Sequence, residues 1–463
     1  MADKIVIVGA GVAGVNAATK LVDNGYPGEL ITVIDMGKDP YNRKPEEVMT
    51  GFLGAGGWSD GKLTYHTAIG GQLSKYTGED KAMELMDQVI TNFKRFHPKP
   101  EEVQCSNPVA EPDFIKPYFG LRLFPVWHVG TDYLSEIAKN WYDYLVSKGV
   151  NFEWETKVTY IDFNNPHGYI LLEGFKSQGG EKQHYMTTGD ELIFAVGKSG
   201  IDFAQQLAKD YNLPDEPKSV QIGVRFEAPQ KHFQKLIDIS YDFKLYRKFE
   251  DKGVSLRSFC TNNNAAYVAV EETYGNQSYN GHAKKDERYR NNMTNFGILM
   301  EINGIEKPFD WSRKLVHKCQ IDGKGMYYSP SRKPSTTSES NEISCVQVGD
   351  LTIIKDAFKG YFKYIEDFIK DMKKIFPTLG DDWGIYIPEV KYLSPEPLVD
   401  YKNLSLTKFS NVHFAGDALS ARGITVSGAQ GIYIAEDILG KLKKNKYITG
   451  TDLYYDQGDI INF

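Results

Sequence analysis

Residues 4–8 (Lys-Ile-Val-Ile-Val) form a β-branched run, the pattern of a strand buried on both faces. Gly9 to Gly14 reads as a turn. Ala17, Ala18, Leu21 and Val22 then recur at helical spacing within Val15–Asn24, and Leu30–Ile34 reads as a second strand ending at Asp35. This succession predicts one βαβ unit. Five glycines between 51 and 61 exclude a stable helix or strand and predict a loop whose backbone approaches something closely. Met83, Met86, Ile90 and Phe93 place one apolar face on a helix over 80–96. Leu134, Ile137, Trp141 and Leu145 do the same over 131–148, with Gly149 as the stop. Residues 152–174 and 185–195 read as strands around a polar turn at Asn164–Gly168, and 219–345 as a separate domain of mixed β pattern. Pro330–Asn341, rich in Ser, Thr, Lys and Pro, reads as a mobile surface loop. Phe358, Phe362, Ile365, Ile369 and Met372 predict one long helix over 355–376. A short strand at 411–415 leads through a glycine-punctuated turn into a helix reaching about Leu442. The last twenty residues are expected to pack over the surface, and no internal repeat is present.

A chain of 463 residues holds two to three domains, or one nucleotide-binding fold with an inserted domain. With 41% apolar and 25% charged residues it is an ordinary globular protein rather than a disordered one. A net charge of −7 argues against a general polyanion binder and leaves nucleic acid only as a modified-base substrate. The 29 tyrosines suggest aromatic-lined pockets. Cys105, Cys260, Cys319 and Cys345 contain no C-x-x-C pair, which excludes a zinc ribbon or a thioredoxin-type dithiol. Scattered cysteines, a first strand with no signal-peptide segment ahead of it, and the absence of 18 consecutive apolar residues point to a cytoplasmic protein without a membrane span.

The hexad Gly9-Ala10-Gly11-Val12-Ala13-Gly14 follows a strand and opens a helix. Gly9 permits the tight turn, Gly11 the approach of a pyrophosphate, and Gly14 close helix–strand packing. The helix N-terminus offers free N–H groups and a positive dipole. Asp35, 21 residues after Gly14, is placed to accept from ribose hydroxyls, and its acidity argues for an adenosine without a 2′-phosphate. FAD and NAD share this fingerprint. A second motif, Val412-His413-Phe414-Ala415-Gly416-Asp417 followed by Arg422-Gly423-Ile424, arbitrates for FAD. Asp417 would accept from the ribityl chain or bridge to the phosphates; it could equally be a helix cap. The helix begun at Gly423 and Ile424 would face the flavin N1–C2=O edge, where negative charge develops on reduction. Phe194-Ala195-Val196-Gly197 returns the chain toward the cofactor at Ala195 and Gly197. The Lys198-Ser199 that follows does not complete a phosphate loop, because Leu192 stands where that loop needs glycine. No second strand-GxGxxG-helix lies between Gly197 and Gly416, so NAD(P)H would act as a transient donor without a Rossmann site of its own.

Taken in order, Gly9–Gly14, Gly54-Ala55-Gly56-Gly57-Trp58-Ser59-Asp60-Gly61-Lys62-Leu63, His128-Val129-Gly130-Thr131-Asp132, Gly223-Val224-Arg225-Phe226-Glu227, Arg257-Ser258-Phe259-Cys260 and Gly416–Gly431 span nearly the whole chain. In these segments the sequence resembles a family of bacterial FAD-dependent dehydrogenases among the glutathione-reductase-like NAD(P)/FAD-dependent oxidoreductases. The resemblance implies non-covalent FAD, a flavin cradle at Gly56, Gly57, Ser59, Lys62 and Leu63, and a substrate domain in the middle of the chain. It implies no particular substrate. The chain departs from the family pattern at Asn262-Asn263-Asn264, where a Cys- and Gly-containing turn is expected, and this weakens a redox role for Cys260.

The expected fold is therefore α/β, with a discontinuous Rossmann-like FAD-binding domain of glutathione-reductase type (1–210 and 400–445). A mixed α+β substrate domain (211–399) and a tail (446–463) complete it. Val158 joins the expected cofactor contacts. The expected activity is hydride transfer between a small molecule and flavin N5. Four residues are candidates for the chemistry. Lys62 would place charge near the flavin or anchor backbone. His128 would be a proton shuttle or a structural histidine. Arg225 and Arg257 would hold a substrate carboxylate or phosphate, or serve as ordinary ion pairs. An amine or amino-acid oxidase, in a narrower form acting on an amino-modified nucleobase or nucleotide, remains an alternative. So does a non-catalytic FAD-binding scaffold.

Overall fold

The computed structural model describes residues 3–44, 47–109, 112–216, 219–249, 253–337, 341–392 and 396–449. A six-stranded sheet forms its base, in the order Ser405–Leu406, Phe409–Phe414, Glu191–Phe194, Ile5–Val8, Ile31–Ile34, Asn151–Glu153. All neighbours are parallel except the Ser405–Leu406 edge. Ile5–Val8 is buried along its length, as its unbroken apolar run requires. It has Glu191–Phe194 on one side and Ile31–Ile34 on the other, so the order reverses here and a crevice opens at the carboxyl ends of these strands. Helix Val12–Asp23 leaves from that point and packs against helices Glu79–Phe96, Leu134–Ser147 and Ile424–Thr449. A three-stranded antiparallel sheet (Thr156–Asp162, Ile170–Gln178, Glu181–Gly189) covers the other face.

A second, eight-stranded sheet runs Val346–Gln347, Met326–Tyr328, Gly384–Lys391, Val220–Pro229, Met293–Ile302, Val254–Asn262, Phe243–Phe249, Gly120–Leu123. Its pairs are antiparallel apart from Met326–Tyr328 with Val346–Gln347. Ile222, Val224, Phe226, Phe243, Leu245, Leu256 and Met300 form a core under helices Pro308–Lys318 and Phe362–Ile375. The opposite face looks toward the crevice. Gly120–Leu123 pairs with Phe243–Phe249 and so sits in this second unit, although it lies well inside the expected 1–210 segment. Among the described residues, no helix is long and apolar enough to cross a membrane.

Several elements differ from expectation for local reasons. The helix expected over 355–376 is two helices, Thr352–Phe358 and Phe362–Ile375, because Lys359 (φ 49°) and Gly360 (φ 85°) turn left-handed between them. Within 152–174 the expected turn at Asn164–Gly168 separates two strands, but left-handed Glu155 (φ 51°) adds a break ahead of it, and Gly179 and Gly180 close an unforeseen hairpin. Pro330–Asn341 is anchored where it is described. The Ser335 amide donates to the Tyr386 hydroxyl at 2.8 Å, Ser335 Oγ to Glu227 at 2.5 Å and Ser331 Oγ to the Asp381 carbonyl at 2.7 Å. The last helix runs past Leu442 to Thr449, and the rest of the expected tail lies outside the described residues.

Candidate active site

The glycine hexad does three separate jobs. Gly9 (φ 108°) abuts the next strand so closely that a Cβ would lie 2.2 Å from the Ala195 carbonyl oxygen. At Gly14 a Cβ would lie 2.1 Å from the Gly9 carbonyl oxygen, so this glycine lets helix and strand touch. Gly11 caps the helix in ordinary extended geometry (φ −70°), and a Cβ there would meet nothing within 4 Å. The space in front of the helix N-terminus is therefore open. Asp35 borders that space. Its Oδ2 accepts from the Ala10 amide, and its Oδ1 from the amides of Gly37 and Gly51, all at 2.8 Å. A carboxylate offers about four lone-pair sites, so capacity for a ribose hydroxyl remains after these three. Val158, two residues beyond Thr156, whose amide donates to the Asp35 carbonyl at 2.9 Å, lines the same space.

The glycine-rich segment faces the hexad. Gly54–Trp58 is a single 3₁₀ turn. A Cβ on Gly56 would lie 2.3 Å from Val12 Cγ2, and one on Gly54 would lie 3.3 Å from Gly11 Cα, so side chains here would press on the helix start. Arg43 holds the segment in place. Its guanidinium donates to the carbonyls of Phe52 (2.7 Å), Val48 (2.7 Å), Gly54 (2.8 Å) and Glu47 (3.0 Å). Burial lowers the Arg43 pKa to about 10. No motif in the sequence marks this arginine.

A second rim comes from the end of the chain. Gly416 (φ 70°) donates its amide to Gln430 Oε1 at 2.9 Å, which fixes the start of the Gly416–Leu419 turn. Burial pushes the Asp417 carboxyl up, against the opposing pull of Arg422 and Lys198. Gly423 (φ 112°) precedes helix Ile424–Thr449, and the Arg422 amide donates to the Gly70 carbonyl at 2.5 Å. That Gly70–Gly71 turn escaped the sequence reading. Ser420 Oγ and Thr425 Oγ1 are buried here without a hydrogen-bond partner.

A cavity of about 1040 Å³ joins these pieces. Gly9, Gly11, Val12, Ala13, Asp35, Gly56, Ser59, Lys62, Val158, Ala195, Gly197, Gly416, Asp417, Gly423 and Ile424 line it, together with Arg257 from the second sheet. Ala10, Gly14, Gly57 and Leu63 stand behind the wall. Gly14 there holds the helix on the strand, and Ala10 donates its amide to Asp35.

Lys62 is both a wall residue and an anchor. Its Nζ meets Asp60 Oδ2 at 2.9 Å, Asp242 Oδ2 at 3.6 Å and the Thr261 carbonyl at 2.5 Å, which ties the first unit to the second. Burial opposes its charge, yet Asp242 and Asp60 override burial and hold it protonated. Lys244 closes the chain on Asp242 at 2.8 Å.

Two candidates fall outside the cavity wall. His128 donates from Nε2 to the Asp60 carbonyl at 2.9 Å, and burial lowers its pKa to about 4, so it is a neutral structural imidazole rather than a shuttle at the cavity surface. Arg225 lies on the cavity-facing side of its strand but is fully buried beneath the hairpin Ala266–Thr273/Asn276–Ala283. A Cβ on Gly281 would lie 1.7 Å from its Nη2. Its donors go to Asn295 Oδ1 (2.6 and 3.0 Å), the Cys260 carbonyl (2.8 Å) and Glu389 (3.3 Å), so it holds no substrate. Cys260 lines the cavity in left-handed geometry (φ 47°), and burial pushes its thiol up, away from the reactive thiolate. The asparagines after it are structural: Asn262 donates to Asn295 (3.0 Å) and Asn263 to the Tyr241 carbonyl (2.7 Å).

No protein-family model matches the sequence, and no curated protein matches it. Solved structures are similar at low identity. The flavin-dependent halogenase CmlS aligns with TM-score 0.42 and 13% identity, over 98% of this chain and 61% of that one, so the chain spans about three fifths of that halogenase. A flavoprotein/dehydrogenase from Cytophaga hutchinsonii aligns with TM-score 0.41 and 13% identity over 96% of this chain and 79% of that one. A mutant of the halogenase PltM in complex with FAD gives 0.41 and 11% over 96% and 71%. With every one of these scores below one half, the architecture rests on the two sheets themselves.

Proposed function

We propose that the chain is an FAD-dependent oxidoreductase of glutathione-reductase type that acts on a small molecule. The observation that carries this reading is the single continuous cavity. It begins at Asp35 and the open space before Gly11, passes the Gly416–Ile424 rim, and ends under the second sheet at Arg257. Its residues suit an extended dinucleotide. Free N–H groups at the start of Val12–Asp23 face the place where a diphosphate would lie, Asp35 keeps accepting capacity for ribose, and the unpartnered Ser420 hydroxyl in the cavity wall awaits a polar group.

FAD bound there supplies an electron sink that accepts hydride at N5. The protein's own part is positional. Arg43 fixes the glycine-rich segment, and Lys62 clasps that segment to the second sheet through Asp60, Asp242 and the Thr261 carbonyl. Helix Ile424–Thr449 directs its positive end into the cavity beside Arg422, where charge would accumulate on reduction. The second sheet covers the cavity and limits water.

The test is a visible spectrum of the purified protein, recorded anaerobically before and after addition of NADPH or NADH. A flavin band is expected. The absence of a band, even after reconstitution with FAD, refutes the reading. Bleaching by a nicotinamide identifies NAD(P)H as the transient donor. A persistent band, followed by peroxide release from an amine or amino acid, identifies the oxidase alternative. A bound flavin that no metabolite reduces identifies a scaffold.

A further inference from the structure

The sheet face that closes the cavity carries Arg122, Lys244, Lys248, Arg257 and Lys391, with the carboxylate of Glu301 among them, opposite Gln221 and Ser255. Side chains alternate between the two faces of an antiparallel sheet, and the inner face packs on the helices. On the cavity face, the register sets Lys244 beside Arg122 and Gln221 beside Lys391, with Arg257 and Lys248 two residues apart in pairing on adjoining strands. Lys244 is paired with Asp242 (2.8 Å) and Lys391 lies 3.7 Å from Glu389. Arg122, Lys248, Arg257 and Arg422 have no carboxylate within ion-pairing distance among the described residues.

Arg257 and Arg422 converge. Nη2 of Arg257 and Nη1 of Arg422 both donate to one neutral acceptor, Gln221 Oε1, at 3.2 and 3.1 Å. Arg422 also donates to the Tyr392 carbonyl at 3.1 Å, and the buried Tyr392 hydroxyl, in the same cavity wall, has no partner. Two guanidiniums sharing a single amide oxygen repel each other in a half-buried setting, a repulsion that Glu301, and at Arg422 also Asp417, offsets from beyond ion-pairing distance. Burial lowers both pKa values, that of Arg422 to about 10. An oxyanion between them would accept from both forks and relieve that repulsion.

We propose that Arg257 and Arg422 clamp a carboxylate or phosphate of the substrate, so that the substrates are anionic small molecules. The proposal rests on the FAD reading, because Arg422 directly precedes the Gly423–Ile424 turn and would place the anion beside the flavin's pyrimidine end. Arg122 and Lys248, exposed on the same sheet face, concentrate anions at the cavity of a protein whose overall charge is −7.

The test uses the FAD-loaded protein, titrated separately with sodium phosphate and sodium acetate while sodium chloride keeps ionic strength constant. The readout is the flavin absorption band. A saturable shift is expected, with half-saturation at least tenfold higher in Arg257→Gln at unchanged flavin content and melting temperature. Arg257→Lys should fall between the two. Arg288→Gln, which removes an exposed partner of Asp286, should behave as the unaltered protein. A shift with phosphate alone assigns a phosphorylated substrate, and one with acetate alone a carboxylate. A full flavin band that neither anion shifts, or a shift that Arg257→Gln leaves unchanged, overturns the clamp. A protein that binds no FAD fails at the first reading instead, and the flavin content separates the two failures.

Discussion

At Gly11, contact with a ligand and contact with the fold separate. A Cβ at this position meets no heavy atom within 4 Å, and φ −70°, ψ −178° is backbone that any residue adopts. Gly11→Val therefore adds an isopropyl group only to the open space before the helix. Valine is a poorer N-cap than glycine, a cost of about 1 kcal/mol. Loss of glycine's freedom in the unfolded chain offsets roughly 0.4–1 kcal/mol of it. The apoprotein should thus keep its stability to within about 1 kcal/mol. FAD binding should suffer far more. Holding the diphosphate away from two backbone N–H groups forfeits two hydrogen bonds to a charged partner, about 1.5–3 kcal/mol each. That corresponds to a loss of affinity of roughly two to four powers of ten. Urea denaturation of the apoprotein measures the first quantity, and quenching of flavin fluorescence on titration measures the second. FAD affinity within threefold of the unaltered protein would refute the placement of the diphosphate. An apoprotein weakened by more than about 2 kcal/mol would refute the claim that Gly11 is free of the fold.

Gly14→Ala should show the opposite pattern, because its Cβ would lie 2.1 Å from the Gly9 carbonyl oxygen and 2.9 Å from Ile7 Cγ2. Overpacking of this kind costs about 1–3 kcal/mol, so the melting temperature should fall with or without FAD, and an unshifted apoprotein would count against the close packing. Arg225→Met leaves Glu389 buried without its guanidinium and should cost about 3–5 kcal/mol in urea denaturation; a variant that stays stable but loses substrate affinity would return Arg225 to the binding site. Burial holds the His128 pKa at about 4, below its ordinary 6.5, and lowers that of His282 as well. The unfolded chain therefore takes up these protons first, and stability that is complete above pH 6.5 is lost as pH falls toward 4. His128→Gln should make that decline shallower in denaturation curves taken across the window, and an unchanged slope would place the titration elsewhere.

The parts of this protein legible in the sequence are those whose cause is local. Ile5–Val8, the turn at Gly9–Gly14 and helix Val12–Asp23 follow from a β-branched run, from glycines needed at fixed offsets, and from small residues at helical spacing. Asp35 is legible because chain geometry sets the distance from the hexad to the end of the next strand. Gly416, Gly423 and Ile424 were legible because a buried strand and a glycine turn announce a second rim.

What the sequence left open depends on which distant segments meet. Arg225 and Arg257 share a strand-like context and a sheet face, yet a hairpin with a glycine at its contact point covers the first and leaves the second in the cavity. Lys62 reads as a lone lysine until folding brings Asp242 and the Thr261 carbonyl to it across some two hundred residues of chain. Arg43 and the Gly70–Gly71 turn carry no local signature because their partners are backbone groups, carbonyl oxygens for Arg43 and the Arg422 amide for Gly70, which no side-chain pattern marks. A backbone conformation is written in the residues that adopt it. A side chain's charge state and role are set by the groups folding places within a few ångströms of it, and at that range burial and opposite charge outweigh anything the neighbours in sequence supply.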